Sequence, residues 1–272
     1  VIARLNALPR RQRALLIVVG LVALFAAYPA ARWVWRTFLR PPIKHWEPLL
    51  PYGALRVGID ASYPPFGADP GNGELFGLDV DLARLVAAEM GVPVRFVNMG
   101  YDGLYDSLAA NQADVLFSAL RVDPLRMDAV RYTVSYFDAG QVLVRPPESG
   151  LNRMADLEGL ALAVEFGAEG DVEARTWQRR LHTLDISAFE TAAGALEAVL
   201  AGQADAALVD AISARLWLRD HDGLELAPEY VTHDPYAAAV RADNERLWAA
   251  LNAALTTLIE RGAVEEVVNR WL

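Results

Sequence analysis

A twelve-residue pattern occurs twice in this chain and narrows the choice of fold more than any other stretch. Gly103-Leu-Tyr-Asp-Ser-Leu-Ala-Ala-Asn-Gln-Ala-Asp114 and Gly194-Ala-Leu-Glu-Ala-Val-Leu-Ala-Gly-Gln-Ala-Asp205 agree at Gly103/Gly194, Ala110/Ala201, Gln112/Gln203, Ala113/Ala204 and Asp114/Asp205. Each copy runs into a continuous apolar segment, Val115–Phe117 in one case and Ala206–Val209 in the other. Such a segment is too short for a buried helix, so it reads as a strand covered on both faces of a parallel sheet. Helix, tight turn and buried strand, written twice, predict two α/β lobes rather than one.

Beyond the first strand the chain turns polar, with Ser118, Arg121, Asp123 and Arg126. Ligands of open α/β sheets gather beyond the carboxyl ends of the strands, so two arginines there point to a socket for an anion. The second strand runs into Asp210. Two such sheets facing each other would set an anion socket opposite a carboxylate, a charge pattern that a zwitterion matches.

At 272 residues, 54% of them apolar and 22% charged, the chain can bury one large core or two smaller ones, and disorder is excluded for most of it. It has no cysteine, which excludes disulfides, thiolate metal sites and a Cys nucleophile. Residues 1–46 hold 8 of the 25 Lys and Arg and no acid, so the remainder carries 17 cations against 35 acids. A body with that net charge of −18 repels phosphate, and no nucleic-acid partner is expected. His45, His182, His221 and His233 are scattered without metal-ligand spacing, and neither G-x-S-x-G nor a phosphate-binding glycine loop occurs, so no metal or cofactor is expected.

The basic part has its own explanation. Ala14–Ala31 is an uncharged run flanked by Arg4, Arg10, Arg11 and Arg13 on one side and Arg32, Arg36 and Arg40 on the other. Its length just spans a bilayer, with Trp33 and Trp35 as interfacial anchors. A cleaved signal peptide needs small residues at −3 and −1, which Phe25, Tyr28 and Pro29 interrupt, so an uncleaved anchor is the favoured reading. The basic flanks nearly balance, so charge does not choose the orientation. Residues 1–46 are therefore read as basic flank, anchor and tether.

The rest alternates strand and helix. Leu55–Ile59 is a first strand ended by Asp60, and Ser62-Tyr63-Pro64-Pro65-Phe66 is expected as an extended loop. Asp79 is expected to cap a helix that ends at Gly91. Val94–Val97 and Leu160–Val164 read as strands, and a polar loop from Glu165 to Asp171 leads into a helix to about Leu181. After Asp210 come a helix to Arg219, an irregular stretch to Asp234-Pro235, a strand over Tyr236–Val240 and closing helices over Asn244–Leu258 and Val264–Leu272.

These residues resemble the periplasmic solute-binding proteins of family 3, the polar amino-acid-binding components of ABC importers. The resemblance lies in L-R-V-G-I-D-A-S-Y-P-P-F (Leu55–Phe66), G-L-D-V-D-L-A (Gly77–Ala83), Y-D-G-L (Tyr101–Leu104), the strand ending in D-P-L-R (Asp123–Arg126) and A-D-A-A-L-V-D (Ala204–Asp210). It implies a two-lobed α/β flytrap, the type II periplasmic-binding-protein fold, after one transmembrane helix. Lobe 1 would be 47–139 plus 236–272, and lobe 2 would be 140–235. It also implies roles: Arg126 on the ligand α-carboxylate, Asp210 on the ammonium, Tyr63 and Tyr101 around the side chain, hydrogen bonds from Ser118 and the Ala119 backbone, and Asp60 at the side-chain pocket.

Two departures from the family pattern stand out. Arg121 replaces a small hydroxyl residue, and Gly167-Ala168-Glu169 replaces a Gly-Thr-Thr type loop. Arg121 and Glu169 are then expected either to pair across the cleft or, for Arg121, to meet an extra acidic group on the ligand. The resemblance implies a small polar ligand, an amino acid or related carboxylate, delivered to an ABC permease from a domain in the periplasm tethered to the inner membrane. Two other classes use the same fold: a sensor that needs an output partner, and a dehydratase of the cyclohexadienyl type acting on prephenate or arogenate. For the enzyme, Glu165, Glu169 and Asp171 would be the candidate general acids.

Overall fold

Two five-stranded sheets carry the chain, and both are built to one plan. The structure is a computed structural model and describes residues 49–272. The first sheet holds β1 (Leu55–Ile59), β4 (Val94–Asn98), β5 (Val115–Leu116), β6 (Val130–Asp138) and β12 (Pro235–Arg241), in the order β4-β1-β5-β12-β6. The second holds β7 (Gln141–Arg145), β8 (Ala161–Glu165), β9 (Asp185–Phe189), β10 (Ala206–Asp210) and β11 (Glu225–Tyr230), in the order β9-β8-β10-β7-β11. In each, three parallel strands are followed by one that pairs antiparallel with the third and by another antiparallel to that. The short runs read as buried strands, β5 and β10, are the third strands of the two sheets, and their apolar side chains are sealed from solvent. Each Val or Leu side chain among them contributes about 1.5–3 kcal/mol by leaving water.

The helices follow from the same repeat. Leu104–Ala109 (α2) precedes β5, and Ala192–Leu200 (α4) precedes β10. Both copies close with the same hydrogen bonds, Gln112 N–H to Ser107 O and Gln203 N–H to Ala198 O, each 2.8 Å. The lobe 1 core joins α2 to its sheet through Leu104, Leu108, Leu116 and Leu120. In lobe 2, Leu143, Leu162, Val164 and Leu208 pack under Ala174 and Trp177 of α3 (Glu169–Gln178). Helices α5 (Ala211–Asp220), α6 (Glu245–Glu260) and α7 (Ala263–Trp271) complete the set.

Two crossovers join the sheets, β6 to β7 through Asp138–Gln141 and β11 to β12 through Val231–Asp234. They run side by side and are knitted together by Ala139 N–H to Asp234 O (2.9 Å), Asp234 N–H to Asp138 Oδ1 (2.8 Å) and Gln141 N–H to Thr232 Oγ1 (2.9 Å). The cleft between the lobes opens above them.

Several sequence expectations change. Ser62–Phe66 is not a plain loop: β2 (Ser62–Tyr63) and β3 (Gly67–Ala68) form a hairpin in which Pro64 and Pro65 make the bend. Glu225–Tyr230, expected to be irregular, is a strand; its Pro228 breaks the apolar pattern and is tolerated because β11 is an edge strand with one partner. Asp79 does not cap its helix. Helix α1 (Leu78–Glu89) starts earlier, after Gly77, whose φ of 133° and close approach to the Phe66 carbonyl exclude a side chain. The Asp79 side chain is thereby turned into the core. Among the described residues no helix is long and apolar enough to cross a membrane, and Ala14–Ala31 lies outside them.

Candidate functional site

The site is built where β1 and β5 end and the antiparallel β12 begins. Ser118 follows β5, and its Oγ accepts the Asp60 N–H at 3.0 Å, tying the ends of β5 and β1 together. Ala119 then takes a left-handed φ of 48°, and its N–H donates to Asp79 Oδ2 at 2.6 Å. Of the Ala119 backbone groups, the N–H is therefore engaged inside the protein by the buried Asp79 carboxyl. The next residues lie along β12, with Ala237 N–H to Leu120 O and Val122 N–H to Pro235 O, both 3.0 Å. Arg121 is thus held on a fixed backbone, and its side chain reaches into the cleft.

Asp79 is wholly buried beside Tyr136, and its Oδ1 and the Tyr136 hydroxyl each lack a regular hydrogen-bond partner. Burial pushes the carboxyl up to about 7, and the Tyr136 hydroxyl and the Ala119 amide only partly oppose this. The same burial holds the Tyr136 hydroxyl well above its ordinary range.

Arg121 lines several hollows of the cleft. One of about 390 Å³ is lined by Asp60, Ser62, Tyr63, Tyr101, Ser118, Ala119, Arg121 and Tyr236. A second of about 500 Å³ is bordered by Tyr101, Tyr105, Arg121, Asp123, Arg126 and Asp234. A third, about 330 Å³, brings both lobes together through Tyr63, Arg121 and Tyr236 on one side and Gln141, Glu169, Asp210 and Ser213 on the other. The predicted residues Asp60, Tyr63, Tyr101, Ser118, Ala119 and Arg121 thus share one wall, while Glu169 and Asp210 face it from lobe 2. Arg126 borders only the second of these hollows. Its guanidinium lies over the Tyr105 ring, 4.1 Å from the centroid, and its Nε is 3.3 Å from Asp123 Oδ2.

The carboxylates of the cleft are held individually. Asp60 Oδ1 accepts from Ser62 N and Ser62 Oγ at 3.0 and 2.7 Å. Asp210 caps α5, its Oδ1 accepting the Ser213 N–H at 2.8 Å, and its other oxygen remains for the cleft. Glu169 Oε1 lies 3.5 Å from Arg121 Nη1, and Asp234 Oδ2 is much closer to Arg121, 2.7 Å from Nε. Asp171 turns away: its Oδ2 accepts from Gly167 N at 3.1 Å and its Oδ1 pairs with Arg175 at 2.8 Å. Burial raises Asp234, with Arg121 opposing the rise. Burial raises Tyr63 as well, and the negative charge of Asp210 adds to it.

Asp234 and Tyr236 were missed by sequence reasoning, which took the first for the end of an irregular stretch and the second for the start of a strand. The only available signal was position: both stand where the second crossover must return beside the first. Among the described residues no cluster of His, Asp and Glu could hold a metal ion.

The family model for bacterial extracellular solute-binding proteins, family 3, matches residues 55–272. The chain is 27% identical over 222 residues to ABC transporter arginine-binding protein 1 of Escherichia coli (strain K12), covering 80% of this chain and 90% of that one. It is 26% identical over 223 residues to the L-cystine-binding protein TcyJ of the same strain, covering 80% and 82%. The solved L-cystine solute receptor of Neisseria gonorrhoeae, in its unliganded open conformation, shares the fold with a TM-score of 0.69 at 23% identity, over 80% of this chain and 92% of that one. With two lobes of one topology, two crossovers and a polar cleft between them, the chain belongs to the bacterial extracellular solute-binding proteins of family 3.

Proposed function

We propose that this protein captures an amino acid with a cationic side chain in the cleft between its lobes and delivers it to an ABC permease. The observation that carries the reading is the charge of the cleft. Asp60, Glu169, Asp210 and Asp234 face it against Arg121 and the outlying Arg126. A ligand with one carboxylate and two cationic groups relieves that excess, whereas a dicarboxylate worsens it. Tyr63 and Tyr101 are each half exposed at the rim and offer ring faces on which a cation can lie. The arginine-binding name of one relative agrees with this class.

The dehydratase reading has less support. Asp171, the acid that would carry that chemistry, is engaged by Gly167 and Arg175 and does not point into the cleft. Calorimetric titration of the full chain in detergent with L-arginine, L-lysine, L-glutamine, L-glutamate and prephenate tests the assignment. Heat from the two cationic amino acids is expected, and binding confined to glutamate or prephenate sinks it.

The reading includes a tether. Ala14–Ala31 with its arginine flanks supports an uncleaved anchor in the inner membrane, with the binding domain in the periplasm. The protein is then expected in the membrane pellet after an alkaline wash, and recovery of the full pool in the soluble periplasmic fraction refutes the anchor.

A further inference from the structure

We propose that the ligand carboxylate docks on Arg121 rather than Arg126, and that Asp234 is a built-in carboxylate that occupies this guanidinium until the ligand displaces it. The proposal rests on the amino-acid-binding reading above and adds the residue that anchors the ligand and the residue that competes with it.

The two arginines are in different situations. Arg126 is stacked on Tyr105 and paired with Asp123 of its own turn, so turning to a ligand would break both contacts. Of the hollows that Arg121 lines, it borders only that of 500 Å³. Arg121 borders every one of them, including the two that bring the lobes together. Its side chain remains more than half exposed to the cleft.

Arg121 is also poorly served by its present partners. A guanidinium has five N–H donors in a planar fork that suits a carboxylate approaching in the same plane. Asp234 Oδ2 is only 2.7 Å from Nε, yet this buried oxygen has no aligned hydrogen bond. The contact with Glu169 is at the outer limit of hydrogen bonding, 3.5 Å. Charge is thus neutralised, and the Tyr236 hydroxyl lies beside the guanidinium as well, while no carboxylate is aligned with its two-pronged edge. A free carboxylate can align with that edge and gain charge-assisted bonds that Asp234, fixed to the crossover by its own N–H to Asp138, does not make.

The test compares L-arginine with agmatine, which has the same guanidinium and amine but no carboxylate, on the full chain by calorimetry. Arg121→Gln is expected to weaken L-arginine by roughly 100-fold, and the preference for L-arginine over agmatine should collapse with it. Arg126→Gln should keep that preference and change L-arginine affinity by less than about tenfold. Asp234→Asn keeps the shape, removes the competing charge and is expected to tighten L-arginine several-fold. Arg121→Lys, which keeps the charge and loses the fork, should fall between the wild type and Arg121→Gln, and it serves if Arg121→Gln does not fold. Collapse of the preference in Arg126→Gln but not in Arg121→Gln, or weaker L-arginine binding in Asp234→Asn, overturns the proposal and leaves the functional reading standing. If neither the wild type nor Asp234→Asn binds L-arginine or agmatine, both fall.

Discussion

A carboxylate buried without a cation is costly, and Asp79 bears that cost behind the loop that follows β5. What it supplies is a fixed acceptor for the Ala119 amide, which holds a non-glycine residue in the left-handed region and so aims Ser118 and Arg121 into the cleft. Because its folded value is about 7 against 3.8 for a free carboxyl, the folded state keeps a proton that the unfolded chain releases between those values. The stabilising contribution of this group is therefore complete below about pH 4 and is lost as pH rises through about 7, a change of up to roughly 4 kcal/mol. Other carboxylates titrate too, so the informative quantity is the difference between wild type and Asp79→Asn. Urea denaturation from pH 4.5 to 8 should show the wild type losing ground to the variant as pH rises, and a constant difference would count against the assignment. Sequence reasoning saw Asp79 only as a helix cap, because its neighbour across the core, Tyr136, lies on β6, far away in the chain.

At the scale of elements, the twelve-residue repeat has a physical basis in its last residue. Asp114 Oδ2 accepts the Arg56 N–H at 2.9 Å, and Asp205 Oδ2 accepts the Ala161 N–H at 2.8 Å. In both lobes an aspartate at the entry of the third strand thus fastens the start of the neighbouring parallel strand. The copies differ in what else they hold. Asp114 also pairs with the largely buried Arg56 guanidinium at 2.7 Å. Asp114→Ala is therefore expected to cost about 2–3 kcal/mol, since it removes charge-assisted hydrogen bonds from a guanidinium that keeps Asn111 as a partner. Asp205→Ala loses one hydrogen bond to the backbone and is expected to cost about 1–2 kcal/mol. Chemical denaturation of the two variants checks the ranking, and equal losses would show that the aspartates do the same work in both lobes. The repeat was legible in the sequence because the strand entry is local. The hairpin at Pro64-Pro65 and the edge strand β11 were not, since their pairing partners are set by the sheets.

For the whole molecule, the two lobes are joined by two adjacent crossovers, and the space between those crossovers is tight. A Cβ on Gly140 would collide with the Thr232 carbonyl and the His233 backbone of the other crossover. Gly140→Ala is expected to push the crossovers apart, lower the unfolding temperature and shift the distribution of open and closed forms in small-angle scattering; an unchanged profile at wild-type stability would show that the hinge absorbs the side chain. The sequence by itself determined the two α/β lobes and the strand ends that carry Ser118, Arg121 and Asp210, because these follow from local apolar runs and the polar residues next to them, and its motifs carried the resemblance to the family. Which arginine meets the centre of the cleft, that Asp234 sits beside it, and that Asp79 engages the Ala119 amide were decided only by the tertiary structure. Those contacts join residues that are distant in the chain and are brought together by the return of the second crossover and by the packing of α1 behind the loop. A side chain's orientation there depends on which neighbours compete for it, and spacing along a chain does not encode that competition.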